Sequence, residues 1–198
     1  MKTGSSEDFL AVLCPRAPGQ PAARVTALTD AQALPASPPR VASLGEQPPR
    51  LSAERQRGLV GGPAALRVEH AAGADHVLLT PGAPAEVRDG EVTLRGEIAF
   101  ARRGSGAALT LAVVQGEAAS AAVGPWRLQS SGLVALAVRG NQVTGESAGP
   151  AHAAVVELPP DWPPVTVLID GQPTAAQRDG RRLTIALPAG EHHWSLRR

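Results

Sequence analysis

From Ala64 onward the chain repeats one pattern: a short run rich in Val, Leu and Ile, then a break carrying glycine. Several runs alternate strictly. Val92 and Leu94 stand between Thr93 and Arg95, while Leu183, Ile185 and Leu187 stand between Thr184 and Ala186. Side chains two residues apart share one face of a strand, so these runs predict strands with one apolar face. "ALRVEH", "DHVLLT", "EVTLRGEIAF", "AALTLAVV", "GLVALAV", "HAAVVEL", "VTVLID", "RLTIALP" and "HHWSL" are all read this way. The breaks "RDGE" (88–91), "RGNQ" (139–142), "IDGQ" (169–172) and "RDGR" (178–181) set Gly beside Asp or Asn, residues that tolerate the positive φ of hairpin turns. No helical stripe of useful length competes. The pattern predicts an all-β fold: a two-sheet antiparallel β-sandwich, jelly-roll-like, with a Pro-rich connecting loop.

Upstream the texture differs. "EDFLAVLCP" and "PAARVTAL" are each consistent with a strand. Between Asp30 and Gly62 two Pro-Pro pairs and a closing Gly-Gly interrupt any periodicity. Proline removes a ladder donor and biases its predecessor away from helix, so this stretch is expected to be an extended loop, with at most a helical turn at Ser52 to Arg57. The chain therefore divides into residues 1–29, terminal strands of a preceding β-sheet domain; 30–62, a Pro-rich linker or long loop; and 63–198, a carboxy-terminal β-sandwich.

The 198 residues suffice to bury roughly two-thirds of the unfolded surface. A formal net charge of +1 gives no general attraction to nucleic acid or to an anionic membrane, and neither is an expected partner. No apolar run is long enough to span a bilayer, and "MKTGSSEDFL" offers no signal h-region. The lone Cys14 rules out an internal disulfide. The absence of tyrosine matters more, because no phenol in this chain can serve as acid or base.

The candidate chemistry is sparse. In "AGEHHWSLRR" the adjacent histidines look like ligands, yet successive strand residues point to opposite faces. His192, Trp194 and Leu196 are expected on the inner face; Glu191, His193, Ser195 and Arg197 on a solvated outer face that a partner or glycan can touch. His70 and His76 flank "AAGA" at a hairpin tip with Glu69 and Asp75, either a ligand cluster or a merely polar tip. His152 begins an apolar strand alone and is expected to be structural. Cys14 has no His nearby and no nucleophile elbow is present. "RRGSGAAL" lacks the ending and helix of a phosphate loop and reads as a hairpin connection. The paired arginines at 102–103, 181–182 and 197–198 are either solvated turn charges or bidentate contacts to carboxylate or sulfate. Of the tryptophans, Trp194 is expected in the core, Trp126 begins a strand, and Trp162, in the rigid and exposed "PPDWPP", is the candidate platform for a sugar ring. The residues assigned to carbohydrate contact are Trp162, Arg181, Arg182 and His193. No catalytic residue, metal or cofactor is expected.

"FLAVLCPRAPGQPAARVTAL" followed by "LRVEHAAGADHVLLTPG" resembles the late β region of heparinase II/III-like polysaccharide lyases. In that family a strand of the type "FLTVLYP" leads into a Pro-rich stretch, a valine-rich strand and an Asp-aromatic-Val strand. "VRDGEVTLRGEIAFARR", "VTGESAGPAHAAVVELP" and "VTVLIDGQPTAAQRDGRRLTIALPAGEHHWSL" resemble the same tail, so the likeness extends over nearly the whole chain. Cys14 and His76 depart from it, standing where tyrosine and an aromatic are common, and both are read as core or hairpin substitutions.

The resemblance implies a periplasmic or secreted bacterial parent in which an α/α toroid precedes the β domains, and which cleaves uronic-acid-containing polysaccharide by β-elimination. The family's catalytic residues, and its zinc site where present, lie upstream of this region, and none transfers to a position here. The chain is accordingly expected to be a non-catalytic carboxy-terminal part of such a lyase, truncated or dependent on a separate catalytic partner, with acidic polysaccharide as its ligand. On that expectation Phe9 to Leu13 and Val25 to Leu28 belong to a sheet whose other strands are missing. The alternative is a free-standing carbohydrate-binding or adhesion sandwich.

Overall fold

The glycine turns close hairpins, and hairpins build most of the described fold. A computed structural model describes residues 22–28, 32–33, 64–80, 84–116 and 118–198. Its strands are β1 (Arg24–Ala27), β2 (Gln32–Ala33), β3 (Ala64–His70), β4 (Gly73–Leu79), β5 (Ala85–Asp89), β6 (Val92–Gly96), β7 (Ile98–Gly104), β8 (Leu109–Gln115) and β9 (Ala119–Val123). They continue as β10 (Trp126–Ser130), β11 (Leu133–Arg139), β12 (Gln142–Ala148), β13 (His152–Glu157), β14 (Thr166–Ile169), β15 (Gln172–Thr174), β16 (Ala176–Asp179), β17 (Arg182–Leu187) and β18 (His192–Arg197). Among the described residues there is no helix.

The strands form a ten-stranded sheet, in the order β1-β3-β4-β7-β8-β11-β12-β18-β14-β15, and an eight-stranded sheet, β16-β17-β13-β10-β9-β6-β5-β2. Every pairing is antiparallel, and the result is a β-sandwich. Hairpins alternate between the layers. β3–β4 joins the larger sheet, β5–β6 the smaller, β7–β8 the larger, β9–β10 the smaller and β11–β12 the larger again. Each hairpin is laid beside the previous one in its own sheet. All four glycine turns read from the sequence close hairpins, with Gly90, Gly140, Gly171 and Gly180 at positive φ.

Alternation sets what is buried. Val134, Leu136 and Val138 of β11, Leu111 and Val113 of β8, and Trp194 and Leu196 of β18 point inward from the larger sheet. Leu94, Leu128, Val156, Ile185 and Leu187 meet them from the smaller one. Burying a side chain of this size contributes about 1.5–3 kcal/mol, so these rows hold the layers together. The interior is nearly all aliphatic, and Trp194 is its largest fully buried side chain. Its indole has room because the residue opposite it on β12 is Gly145. A Cβ there would collide with the indole carbons and come within 2.5 Å of the Ala135 carbonyl oxygen.

The structure departs from the sequence reading at definite points. "EVTLRGEIAF" is two strands. Gly96, at φ 122°, turns the chain out of the smaller sheet, and Ile98 begins β7 in the larger. Inward positions accordingly slip from Val92 and Leu94 to Ala99 and Ala101. Thr80 ties down this corner, its backbone N–H donating to the Glu97 carbonyl at 2.7 Å and its hydroxyl facing the Gly96 carbonyl. β9 has no polar alternation because all five of its residues are buried. β12 shows little apolar character because Gly145 and Ser147 occupy inward positions.

Val25 to Leu28 does not belong to a missing sheet. β1 pairs with β3 at the edge of the larger sheet, and all four of its residues are exposed, so its side chains carried no signal of where it docks. Gln32–Ala33, inside the expected linker, pairs with β5. Cys14, Phe9 to Leu13 and the helical turn at Ser52 to Arg57 lie outside the described residues.

Gly145→Ala should destabilise the protein by about 1–3 kcal/mol, because Trp194 must move to admit the methyl group. Denaturant unfolding followed by tryptophan fluorescence reads this directly, and an unchanged midpoint would show that the indole does not need that space.

Candidate functional site

β18 carries the two histidines on opposite faces, as strand parity requires. Trp194 and Leu196 are buried, His192 is half-buried beside them, and His193 and Arg197 are exposed. β18 lies between β12 and β14. Across the ladder to β12, His193 faces Glu146 and Ser195 faces Thr144. One step further, Gln142 and Arg197 continue the outward row.

These side chains line a groove on the outer surface of the larger sheet. One end is a concavity of about 530 Å³ bounded by Thr110, Thr144, Glu146, His193 and Ser195, with Ala135 and Ala137 among its lining residues. The other end, of about 410 Å³, is lined by Asn141, Gln142, Arg197 and Arg198. Thr144 and Ser195 line both, so the two ends adjoin. His193 Nδ1 lies 3.7 Å from Glu146 Oε1, and both side chains are largely in solvent. The groove presents hydroxyls, an amide, a carboxylate, an imidazole and guanidiniums over small residues, a set that can hydrogen-bond a polyhydroxylated ligand and neutralise an anionic one.

His192, on the inner side, closes the neighbouring corner. Its Nδ1 donates to Asp170 Oδ2 at 2.7 Å, and its Nε2 lies 3.1 Å from the Ala189 carbonyl oxygen. Asp170, at φ 49° in the β14–β15 turn, also accepts the His193 backbone N–H at 3.0 Å. Both ring nitrogens thus face acceptors, which favours the imidazolium. The Asp170 carboxylate, then the Ala189 carbonyl, raise the His192 pKa. The hydrogen bonds from His192 and from the His193 N–H in turn lower that of Asp170.

The other predicted contact residues are not gathered into one site. Trp162 is not the exposed platform expected from "PPDWPP". It packs edge-on against Trp126, with ring centroids 4.8 Å apart, and the Arg198 guanidinium covers it at 4.5 Å from its centroid. Its connection is held by arginines because prolines leave carbonyls without a ladder. Arg181 donates to the Leu158 and Pro125 carbonyls at 2.7 and 2.9 Å, and Arg178 donates to those of Trp162 and Pro163 at 2.9 and 3.0 Å. Arg182 is exposed on β17 opposite Glu157. Of the four, only His193 lines the groove. Trp162 reaches it indirectly, beneath Arg198.

The histidines of the first hairpin separate as well. His70 lies 3.3 Å from Asp75, whose carboxylate Arg102 grips with two hydrogen bonds of 2.6 and 2.7 Å. Burial pushes the Asp75 pKa up, but the bonds from Arg102 and His70 outweigh it and leave the carboxyl below its ordinary value. His76 points inward instead and meets Asp89 of the facing sheet at 2.8 Å, so of the two readings, core or hairpin tip, the structure shows the core one. His152 packs over Gly132 and donates from Nδ1 to the Pro150 carbonyl. "RRGSGAAL" is the β7–β8 connection, closed by Gly104 N–H to the Ala108 carbonyl at 2.9 Å. Among the described residues no group of three His, Cys, Asp or Glu side chains converges as metal ligands would.

Gln142, Thr144 and Glu146 escaped the sequence reading because β12 was not recognised. The signal was present in the "RGNQ" turn, which demands a partner strand for "GLVALAV" and places these residues opposite Arg139, Ala137 and Ala135. No family model, curated protein or solved structure matches the chain.

The raised His192 pKa means that its pairing stabilises the fold fully below the ordinary histidine value and loses this contribution as pH rises through the folded value. The lowered Asp170 pKa contributes above the ordinary carboxylate range and is lost as pH falls through its own folded value. The pair should therefore support the fold most between the carboxylate range and the ordinary histidine value. NMR titration of the ring protons should place the His192 midpoint above that of an unpaired histidine, and Asp170→Asn should bring it down; a midpoint unmoved by the substitution would contradict the pairing.

Proposed function

We propose that this chain is the non-catalytic carboxy-terminal β-sandwich part of a heparinase II/III-like polysaccharide lyase, whose parent reaction is β-elimination of uronic-acid-containing polysaccharide. The observation that carries the reading is how the candidate ionisable side chains that lie outside the groove and have partners are used. Asp75 is held by Arg102, His76 by Asp89 and His192 by Asp170, while Arg178 and Arg181 are occupied by proline-connection carbonyls. These are structural pairings. β-elimination needs a base at the C5 proton, an acid at the leaving oxygen and a neutralised carboxylate, held together around one sugar. The chain has no tyrosine, and its pairings are distributed over both sheets. A rigid sandwich with an open polar groove is suited to holding polymer for catalysis performed elsewhere.

The groove also favours a second reading, a free-standing carbohydrate-binding or adhesion module. That alternative needs no catalytic partner and depends on affinity alone.

Pure chain incubated with polygalacturonate, alginate and heparan sulfate should generate no unsaturated-uronate absorbance, while affinity electrophoresis through gels containing the same polymers should retard it in at least one. Growth of the absorbance would overturn the non-catalytic assignment, and unretarded migration in every gel would remove both polysaccharide readings. Joined in cis to an α/α-toroid domain of the resembled family, the chain should increase turnover of polymer over that of the toroid alone; no increase, with retardation intact, would leave the free-standing module as the better reading.

A further inference from the structure

We propose that the outward row of β12 and β18 is a binding track for a single anionic glycan strand, with its carboxylate or sulfate groups at the Arg197–Arg198 end and its hydroxyls over Thr144 and Ser195. The inference rests on the polysaccharide reading and specifies where and how such a chain is held. The track consists of two cross-strand rungs, Thr144 with Ser195 and Glu146 with His193, continued at one end by Gln142 and Arg197, which line the same concavity. From Gln142 to Glu146 it covers roughly 13 Å at the rise of an extended strand, the length of a short oligosaccharide. Flanking it, Ala135 and Ala137 are small enough to let a ring descend toward the sheet.

The two ends differ in charge. At one, Arg139 stands opposite Gln142, so Arg139 and Arg197 flank the same glutamine, and Arg198 completes a cationic rim. Among the described residues the side chains of Arg139 and Arg197 make no hydrogen bond or ion pair, which leaves their guanidiniums available for bidentate contact with an oxyanion. Arg198 is pre-positioned. Its guanidinium lies over the Trp162 ring and donates to Asn141 Oδ1 at 2.9 Å. Trp162 therefore acts on the ligand through Arg198, as a positioning residue, and not by stacking on a sugar. At the other end Glu146 repels an anion and pairs with His193, so charge sets the direction in which the acidic groups lie.

The chemistry favours a glycan over nucleic acid. Single-stranded nucleic acid is held by stacking on aromatic faces along a cationic groove, and this track carries no Phe, Tyr or Trp on its outer row. Hydroxyl and amide groups beside one cationic end match a glycan that presents hydroxyls next to a carboxylate or sulfate.

Calorimetric titration with size-matched oligogalacturonate, its methyl ester and a sulfated heparin fragment tests the assignment. The acid and the sulfated fragment should bind, and the neutral ester should bind much more weakly. Arg197→Ala and Arg198→Ala should each weaken binding of the acid by roughly tenfold to a hundredfold, the effect of losing one charge-assisted contact. Trp162→Phe should retain most affinity, and Trp162→Leu should weaken binding as Arg198→Ala does. Circular dichroism and the unfolding midpoint identify any variant that fails to fold, and Arg198→Gln, which keeps a polar side chain at this position without the charge, gives the same readout independently. Equal binding of the ester would refute the charge assignment. Undiminished binding by folded Arg197 and Arg198 variants would place the glycan elsewhere and leave the polysaccharide reading intact. No binding of any anionic glycan would overturn that reading along with the track.

Discussion

Alternate apolar side chains sealed between two sheets are the constraint on which the rest of this molecule depends. The interior has few aromatics and few long side chains, so cohesion comes from many Val, Leu, Ile and Ala contacts on both inner faces. A register slip of one residue would turn every such row outward. The glycine turns prevent it by fixing which residues face each other in each hairpin. Once the inward row is fixed, the outward row has no freedom left. His193, Ser195 and Arg197 stand in the groove because Trp194 and Leu196 cannot leave the core.

Burial and exposure therefore carry different kinds of information. Trp194 needs a glycine opposite it, and Gly145 supplies that space at an inward position where an aliphatic residue would otherwise be expected. This packing is also what disguised β12, because a strand with glycine and serine on its inner face has little apolar periodicity. The strand whose outer residues form half of the groove was hidden by the side chain that anchors the other half.

The proline-rich connection shows the same interdependence. Prolines cannot donate to a ladder, so carbonyls around Trp162 are satisfied by Arg178 and Arg181 from the adjacent β16–β17 hairpin. Arginines that resemble ligand contacts in the sequence are spent on backbone here. Trp162 is wedged against Trp126 and covered by Arg198, which joins this end of the smaller sheet to the groove on the larger one.

How far the sequence carries can be seen residue by residue. Strict alternation around Leu94, Ile185 and Trp194 and the glycine of each tight turn are local properties, and they were sufficient for the all-β sandwich, the hairpins and the split of His192 from His193. Strand order across the two layers was not legible, because nothing local tells a hairpin which sheet to join. Nor was the partial burial of Trp162, which depends on Trp126 and Arg198 from distant segments, or the placement of β1, whose exposed side chains encode no docking. Where a strand alternates, periodicity determined which of its faces is wet. Only the tertiary structure decided which wet faces lie side by side, because a groove is made by ladder pairing between residues far apart in the chain.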